Sequence, residues 1–168
     1  MPFFQLYSIT KDKKFFDIGK LICDNYTRFQ NNDGSFIIHE NTKTINLHTQ
    51  SYALEGLLFA FSFTKKQDYL ESCVRALDWC QNQIEDDGSI MLWFNFKDKS
   101  KAIYPIAQII RLMILIDKIN ETKEYSNSID KLIKFIFTLQ AQTEEIHTNG
   151  GFYEEFYKTL FGWKKDSN

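Results

Sequence analysis

Apolar residues recur at helical spacing along five stretches of the chain, and polar or turn-forming residues separate these stretches. The predicted helices run over about residues 13–31, 46–64, 66–83, 100–120 and 123–142. The first, third and fifth are amphipathic, which indicates one face on the core and one in solvent. The second and fourth are apolar on most sides, which a helix tolerates only when most of its surface is buried. The pattern therefore predicts an all-α fold in which outer and inner helices alternate.

A similar turn follows each outer helix, in FQNNDGSFI (29–37), CQNQIEDDGSIML (80–92) and LQAQTEEIHTNGGFY (139–153). Gly34 and Gly88 match at a period of about 54 residues, and Gly150 follows a longer loop. Asp-Gly and Asn-Gly pairs end helices sharply because glycine adopts positive φ easily and a short Asx side chain bonds nearby backbone. We therefore interpret the polar residues of the turns as structural: Gln30, Asp33, Gln83, Asp87, Gln140 and Asn149.

Helix-pair repeats of this length bury their apolar faces against neighbouring repeats. By the same period another inner helix is expected roughly a dozen residues after Gly151, but only FYEEFYKTLFGWKKDSN follows. We expect either that these last residues form a short helix or that another chain covers the fifth helix. The length of 168 residues predicts one domain, over residues 1–168.

Composition and charge exclude several classes of protein. A net charge of −2 with scattered lysines provides no positive field for nucleic acid, so we do not expect that partner. The longest apolar run, residues 52–63, contains Glu55 and is too short to span a bilayer, and no signal peptide is recognisable. We therefore expect a cytoplasmic protein with no membrane span. Cys23, Cys73 and Cys80 have no CxxC spacing, and we predict no disulfide, metal or other cofactor.

The segment FIFTLQAQTEEIHTNGGF (135–152) resembles the QW-type repeats of the squalene cyclase and protein prenyltransferase superfamily. WCQNQIEDDGSI and RFQNNDGSF are looser matches to the same repeat. Residues 48–90 also resemble toroid proteins found with surface-polysaccharide genes, and the helical rings of sugar epimerases and unsaturated-uronide hydrolases. These resemblances imply an alpha/alpha toroid, a ring of about six helical hairpins whose inner helices surround a cavity.

The chain departs from these families in its chemistry and in its length. The clustered aspartates of the cyclases and the zinc-binding Asp, Cys and His of the prenyltransferases are not recognisable, which disfavours terpene cyclisation and prenyl transfer. A ring of about six hairpins needs roughly twice this length, which predicts a partial toroid that a homodimer or a separate partner chain closes. The resemblance implies a glycan-related toroid that binds or processes a carbohydrate. The alternative is a non-catalytic interaction module, or a truncated toroid that completes its core by oligomerisation.

Polar residues recur at spacings of four and three on both inner helices. On the second predicted helix they are His48, Tyr52 and Glu55, and on the fourth they are Tyr104, Gln108 and Arg111. We expect these faces to point into the concave side of the toroid, with Arg111 close enough to neutralise Glu55. A sugar site needs this mixture, because carboxylates and amides bind hydroxyl groups and aromatic side chains stack against the apolar face of a ring.

If the protein acts on glycans, His48 or Glu55 is the candidate general base, with Asp33 or Asp87 as a weaker second carboxylate. The candidate substrate-binding residues are Tyr52, Trp93, Tyr104, Gln108 and Arg111. The alternative interpretation is that Glu55 forms a buried structural ion pair with Arg111, and that His48 caps or packs at the helix start. We interpret His39, His147 and the acidic pair in YEEFY (153–157) as solvated. Whether the protein is an enzyme stays open.

Overall fold

The computed structural model consists of three helical hairpins and describes residues 2–147, 149–159 and 162–166. Its helices in this part of the chain are α1 (Pro2–Thr10), α2 (Lys13–Thr27), α3 (Leu47–Thr64), α4 (Gln67–Asn82), α5 (Ile103–Asn120) and α6 (Ser126–Thr138). Helices α1 and α2, α3 and α4, and α5 and α6 pack as pairs, and α3 also packs against α5. The inner layer therefore contains α1, α3 and α5, which confirms the predicted all-α fold of alternating inner and outer helices.

Helix α1 precedes the first helix that the sequence predicts, so the described residues form one helix more than the five of the sequence pattern. Phe4 of α1 is 1% exposed, and its ring packs against Phe16 of α2 and Phe63 of α3. Every hairpin therefore begins with its inner helix. As a consequence α5 and α6 form a complete third hairpin. The expectation that the last outer helix lacks its inner partner is wrong.

The outer helices α2 and α6 are shorter than predicted. Helix α2 ends at Thr27, because the residues that follow it belong to the turn. Helix α6 begins at Ser126, because the Asp117 carboxylate accepts hydrogen bonds from the backbone N–H groups of Glu124 (3.0 Å) and Tyr125 (3.2 Å). A buried carboxylate thus holds the connection between α5 and α6 in a turn that the apolar pattern does not reveal.

Short strands pair in the loops before α3 and α5 and in the segment after α6. They are β1 (Ile45–Asn46), β2 (Trp93–Phe94), β3 (Lys101–Ala102), β4 (Glu155–Thr159) and β5 (Gly162–Asp166). Strand β1 pairs with β2, β3 pairs with β4, and β4 pairs with β5, all antiparallel. The expectation of a short final helix is wrong for the described residues, which form the β4–β5 hairpin. Aromatic residues are frequent in this segment, and aromatic side chains favour strands.

The repeated turns pack backbone against backbone on the next outer helix. Gly34 and Gly88 have φ of 94° and 83°. A Cβ atom at Gly34 would lie 2.1 Å from the carbonyl oxygen of Arg75 in α4, and one at Gly88 would lie 2.5 Å from that of Lys131 in α6. Glycine is therefore required twice over at both turns, by the backbone conformation and by the close approach of the next hairpin.

A second repeated contact joins consecutive outer helices. The Tyr69 hydroxyl at the start of α4 donates to Asp24 Oδ1 of α2 (2.7 Å). The Tyr125 hydroxyl, next to the start of α6, donates to Asp78 Oδ1 of α4 (2.7 Å). We refer to these two contacts as the Tyr–Asp tethers. Burial and the hydrogen bond to Asp24 raise the pKa of Tyr69 above its usual value, so its hydroxyl stays a donor at neutral pH.

The core between the two layers is apolar and includes the three cysteines. Cys23, Cys73 and Cys80 are all buried and form no disulfide. Burial raises the pKa of Cys73 to about 12, and it raises that of Cys80 as well. In the described part of the chain, no helix is both long enough and apolar enough to cross a membrane.

Candidate functional site

The first turns of α3 and α5 bring a cluster of polar and aromatic side chains together. His48 Nδ1 lies 3.0 Å from Gln108 Oε1, and the same oxygen accepts a hydrogen bond from the Ser51 hydroxyl (2.7 Å). The His48 ring is edge-on to the rings of Tyr52 and Tyr104, at centroid distances of 4.4 and 4.7 Å. We call these five residues the His48 cluster.

The contact with Gln108 decides which nitrogen of the His48 ring carries the proton. An amide oxygen can only accept, so with Gln108 Oε1 facing the ring, Nδ1 carries the proton in this contact. In a neutral imidazole the other nitrogen, Nε2, is then the basic one. The cluster therefore holds the imidazole of His48 in one orientation, between two phenol rings whose hydroxyl groups can donate or accept.

Local sequence explains why these side chains share one face. Asn46 caps α3, since its side chain accepts a hydrogen bond from the Thr49 N–H (3.0 Å) and fixes where the helix starts. Pro105 lies in the first turn of α5, where its missing N–H costs little. Each helix begins at the residue that directly follows a strand. His48 and Tyr104 are therefore both the second residue of their helix, and the polar residues spaced by four and three lie at matching levels of α3 and α5.

Glu55 and Arg111 form the ion pair that the spacing suggested. Arg111 Nη2 donates to Glu55 Oε1, with the carboxylate side chain 12% exposed and the guanidinium side chain 56% exposed. Arg111 therefore compensates a nearly buried carboxylate while it keeps contact with solvent. The predicted proximity is present, and the roles of the two residues in binding or chemistry stay predictions.

Two cavities flank this face. The larger, of about 600 Å³, runs between the second halves of α3 and α5 beside the Glu55–Arg111 pair. Most of its lining is apolar, from Leu58, Phe59, Phe61, Leu112, Leu115 and Ile119. The smaller, of about 280 Å³, lies between α2 and α3 and includes Ile22, Tyr26 and Tyr52. Tyr52 is 54% exposed, so it belongs to both the His48 cluster and the smaller cavity.

The other predicted site residues lie elsewhere. Trp93 is in β2 opposite Asn46, two residues before His48, and its ring packs 5.1 Å from that of Phe96. Asp33 accepts hydrogen bonds from the backbone and hydroxyl of Ser35 within its own turn. These contacts place Trp93 at the entrance to the inner helices and support a structural role for Asp33.

The second turn aspartate is also engaged. Asp87 accepts from the backbone and hydroxyl of Ser89, and it lies 3.6 Å from the ammonium of the buried Lys101. Burial raises the pKa of Asp87, but the hydrogen bonds from Ser89 and the charge of Lys101 outweigh that effect and hold it below its usual value. A carboxylate kept ionised in this way is suited to fixing the turn.

Ser51 is the member of the His48 cluster that sequence reasoning missed. It is fully buried on α3, and its hydroxyl lies within hydrogen-bond distance of both the His48 carbonyl (2.8 Å) and Gln108 Oε1 (2.7 Å). A serine in an apolar helix gives no signal of its own, although it lies three residues after His48 and so on the same face. Among the described residues, no group of three or more His, Cys, Asp or Glu side chains is arranged to hold a metal ion.

No protein-family model matches the sequence, and no curated protein matches it. Several solved structures are similar in fold. Cellobiose 2-epimerase from Bacillus thermoamylovorans has a TM-score of 0.75 and 10% identity over 92% of this chain and 42% of its own. D-mannose isomerase has a TM-score of 0.72 and 16% identity over 92% of this chain and 44% of its own. An alpha-1,6-mannanase of Salegentibacter, in complex with alpha-1,6-mannotriose, has a TM-score of 0.61 and 15% identity over 82% and 44%.

At these identities the likeness establishes the fold and nothing finer. The chain spans less than half the length of each of these helical rings. Three hairpins, an inner layer of α1, α3 and α5, and the matching architecture agree with one another. The predicted alpha/alpha toroid is thus confirmed, and the described chain has the fold of part of such a ring.

Proposed function

We propose that the protein binds or processes a carbohydrate at the face formed by α3 and α5. The observation that carries this proposal is the His48 cluster, which combines an oriented imidazole with an amide and two phenol rings. Sugars are recognised by such convergent polar groups beside aromatic surfaces. The similar folds of an epimerase, an isomerase and a mannanase that act on or bind sugars support the same class of ligand.

The residues of this face have distinct roles in the proposal. His48 Nε2 is the general base, and the hydroxyl groups of Tyr52 and Tyr104 bind sugar hydroxyls. Glu55 accepts hydrogen bonds from the ligand through the oxygen that Arg111 does not engage. Gln108 orients His48, Arg111 neutralises Glu55 at the edge of the site, and Trp93 stacks against a sugar ring at the entrance.

We also propose that the ring is completed by a second copy of the chain or by a partner chain, which covers the outer surface of α6. Phe137 on α6 is 60% exposed, and Ile114 on α5 is 49% exposed. Apolar side chains exposed at the end of a repeat array are typical of an interface between repeats. The same exposure favours the second candidate function, a non-catalytic interaction module.

Replacing Glu55 with glutamine separates the two functions. We expect the variant to fold, because the amide keeps the size of the carboxylate and still accepts from Arg111. We expect its sugar affinity to fall about tenfold or more, since a charge-assisted hydrogen bond to the ligand is lost. Calorimetric titration of both proteins with mannose, cellobiose and alpha-1,6-mannotriose measures the difference.

The matched control is His39→Gln, because His39 is exposed in a loop and its replacement leaves affinity unchanged. Collapse of the fold in Glu55→Gln would identify the ion pair as structural. A wild-type protein that binds none of the three sugars at millimolar concentration would remove the carbohydrate proposal and leave the interaction module.

A further inference from the structure

The docking of a glycine turn on the next outer helix occurs twice within the chain. The turn at Gly34 meets α4 at Arg75–Ala76, and the turn at Gly88 meets α6 at Lys131. The side chains of Arg75 and Lys131 are themselves exposed, whereas those of the residues that follow them, Ala76 and Leu132, are 0% exposed. Each docking thus joins one hairpin to the next by backbone contact, next to an apolar side chain that belongs to the core.

The third turn has the conformation of a docked turn. Gly150 has φ of 84°, close to that of Gly34 and Gly88. Gln140 Nε2 donates to the Gly150 carbonyl (3.1 Å), as Gln30 Nε2 does to the Gly34 carbonyl (2.9 Å). However, the described atom that a Cβ at Gly150 would meet is Gln140 Nε2 at 3.8 Å, and no described helix backbone lies there. The third turn is therefore built for docking, without a docked helix in the part of the chain that the structure describes.

The complementary surface lies on α2, the first outer helix. By the repeat of about 54 residues, Leu21 and Ile22 occupy the positions of Arg75 and Ala76 in α4. Leu21 is 61% exposed, and its equivalent Arg75 is exposed as well, but Ile22 is 48% exposed where the equivalent Ala76 is fully buried. Helix α2 therefore exposes an apolar side chain at the position equivalent to Ala76, and no glycine turn of the described residues docks there.

The residues of the Tyr–Asp tethers are replaced on the two outer helices that would meet, α2 and α6. Phe15 of α2 stands where α4 has Tyr69, and Lys134 of α6 stands where α2 and α4 have Asp24 and Asp78. An aspartate facing Phe15 would be buried without its donor, which is costly, whereas a lysine facing Phe15 could lay its long stem against the ring and keep its ammonium in water. The two replacements are thus compatible with each other, as expected for surfaces that meet.

We propose that two copies of this chain close one ring, with the Gly150 turn of each copy docked on Leu21 and Ile22 of the other. Each copy supplies three hairpins and covers 42–44% of the length of the similar rings, so two copies make about one ring. This inference rests on the proposed function only in that the second copy completes the proposed carbohydrate site. The His48 clusters of both copies then line one shared cavity, into which the apolar groove beside Glu55 also opens.

Light scattering on a sizing column across a dilution series tests this pairing. The chain has a mass of 19.9 kDa, and we expect the wild type to elute with twice that mass. Ile22→Glu places a carboxylate in the docking contact, and we expect the dimer dissociation constant to rise at least about 100-fold. Far-UV circular dichroism checks that this variant retains its helices, since Ile22 is half exposed in the single chain.

Two matched variants use the internal repeats as controls. Leu21→Arg and Ile22→Ala reproduce the residues Arg75 and Ala76 of the docked helix α4, and we expect both to remain dimers. A monomeric wild type at high micromolar concentration would overturn the inference, and so would a dimer that Ile22→Glu leaves intact. Masses that grow beyond two chains would show open stacking and would also overturn the closed ring.

The sugar titrations keep this inference apart from the proposed function. A monomer that binds sugar would refute the two-copy ring and leave the carbohydrate proposal in place. A dimer that depends on Ile22 and binds no sugar would support the ring and refute the carbohydrate proposal. The two readouts are independent, because mass is measured without ligand.

Discussion

Replacing Gly34 with alanine is expected to lower the free energy of unfolding by about 3–5 kcal/mol. Two costs add at this position. The backbone has φ of 94°, which side-chain-bearing residues rarely adopt, and the new Cβ would lie 2.1 Å from the carbonyl oxygen of Arg75. Because that oxygen belongs to the backbone of α4, relief requires the first and second hairpins to move apart. Urea denaturation followed by circular dichroism measures the loss.

Gly150→Ala is the matched control, since φ is 84° there but the nearest described atom lies at the end of the flexible Gln140 side chain. We expect it to cost about 1 kcal/mol, the contribution of the backbone conformation alone. Both substitutions are compared in the Ile22→Glu background, so that assembly does not enter the measurement. Equal losses at the two glycines would show that turn docking contributes little to stability.

Replacing Asp24 with asparagine is expected to remove about 2–3 kcal/mol of stability at pH 7. Burial raises the pKa of Asp24, but hydrogen bonds from Lys20, Lys66 and Tyr69 outweigh burial and hold the pKa far below its usual value. The ionised carboxylate therefore stabilises the folded chain at every pH above the unfolded pKa of about 3.9. This contribution is lost as pH falls below that value, toward the lowered folded pKa.

The difference between wild type and Asp24→Asn should thus be constant from about pH 5 to pH 8 and shrink below about pH 4. Asp17→Asn on the same helix is the control, since Asp17 is exposed and its replacement should change stability by less than about 0.5 kcal/mol. Denaturation curves at a series of pH values provide the comparison. A difference that persists unchanged at pH 3 would mean that the charge of Asp24 is not what stabilises the tether.

Periodicity in the sequence predicts most of the fold because the spacing of apolar residues along each helix shows which of its faces are buried. Helices α3 and α5 are apolar on most sides, and both are inner helices in the structure. Helix α1 escaped prediction because nine residues give too little periodicity to separate a helix from an apolar end segment. The two-residue strands could not be predicted either. They are too short to show periodicity, and they depend on partners in another loop.

The candidate site could be predicted only where its residues share a helix face. Spacing of four and three placed His48 with Tyr52 and Glu55, and the repeat placed Gln108 and Arg111 opposite them. The Tyr–Asp tethers could not be found in this way, because Tyr69 and Asp24 lie on different helices and neither has a local pattern that names its partner. Which of the site residues bind or react with a ligand stays a prediction.

The three buried cysteines can show in which order the hairpins separate when the protein unfolds. The thiolate is the form of cysteine that reacts with alkylating reagents. Burial, with the raised pKa that it causes, suppresses the thiolate at Cys73 and Cys80. Cys23 borders the cavity between α2 and α3, in the first hairpin, whereas Cys73 and Cys80 both lie in α4 of the second. The order in which the thiols become labelled therefore reports whether the hairpins separate one at a time, from the end inward, or all at once.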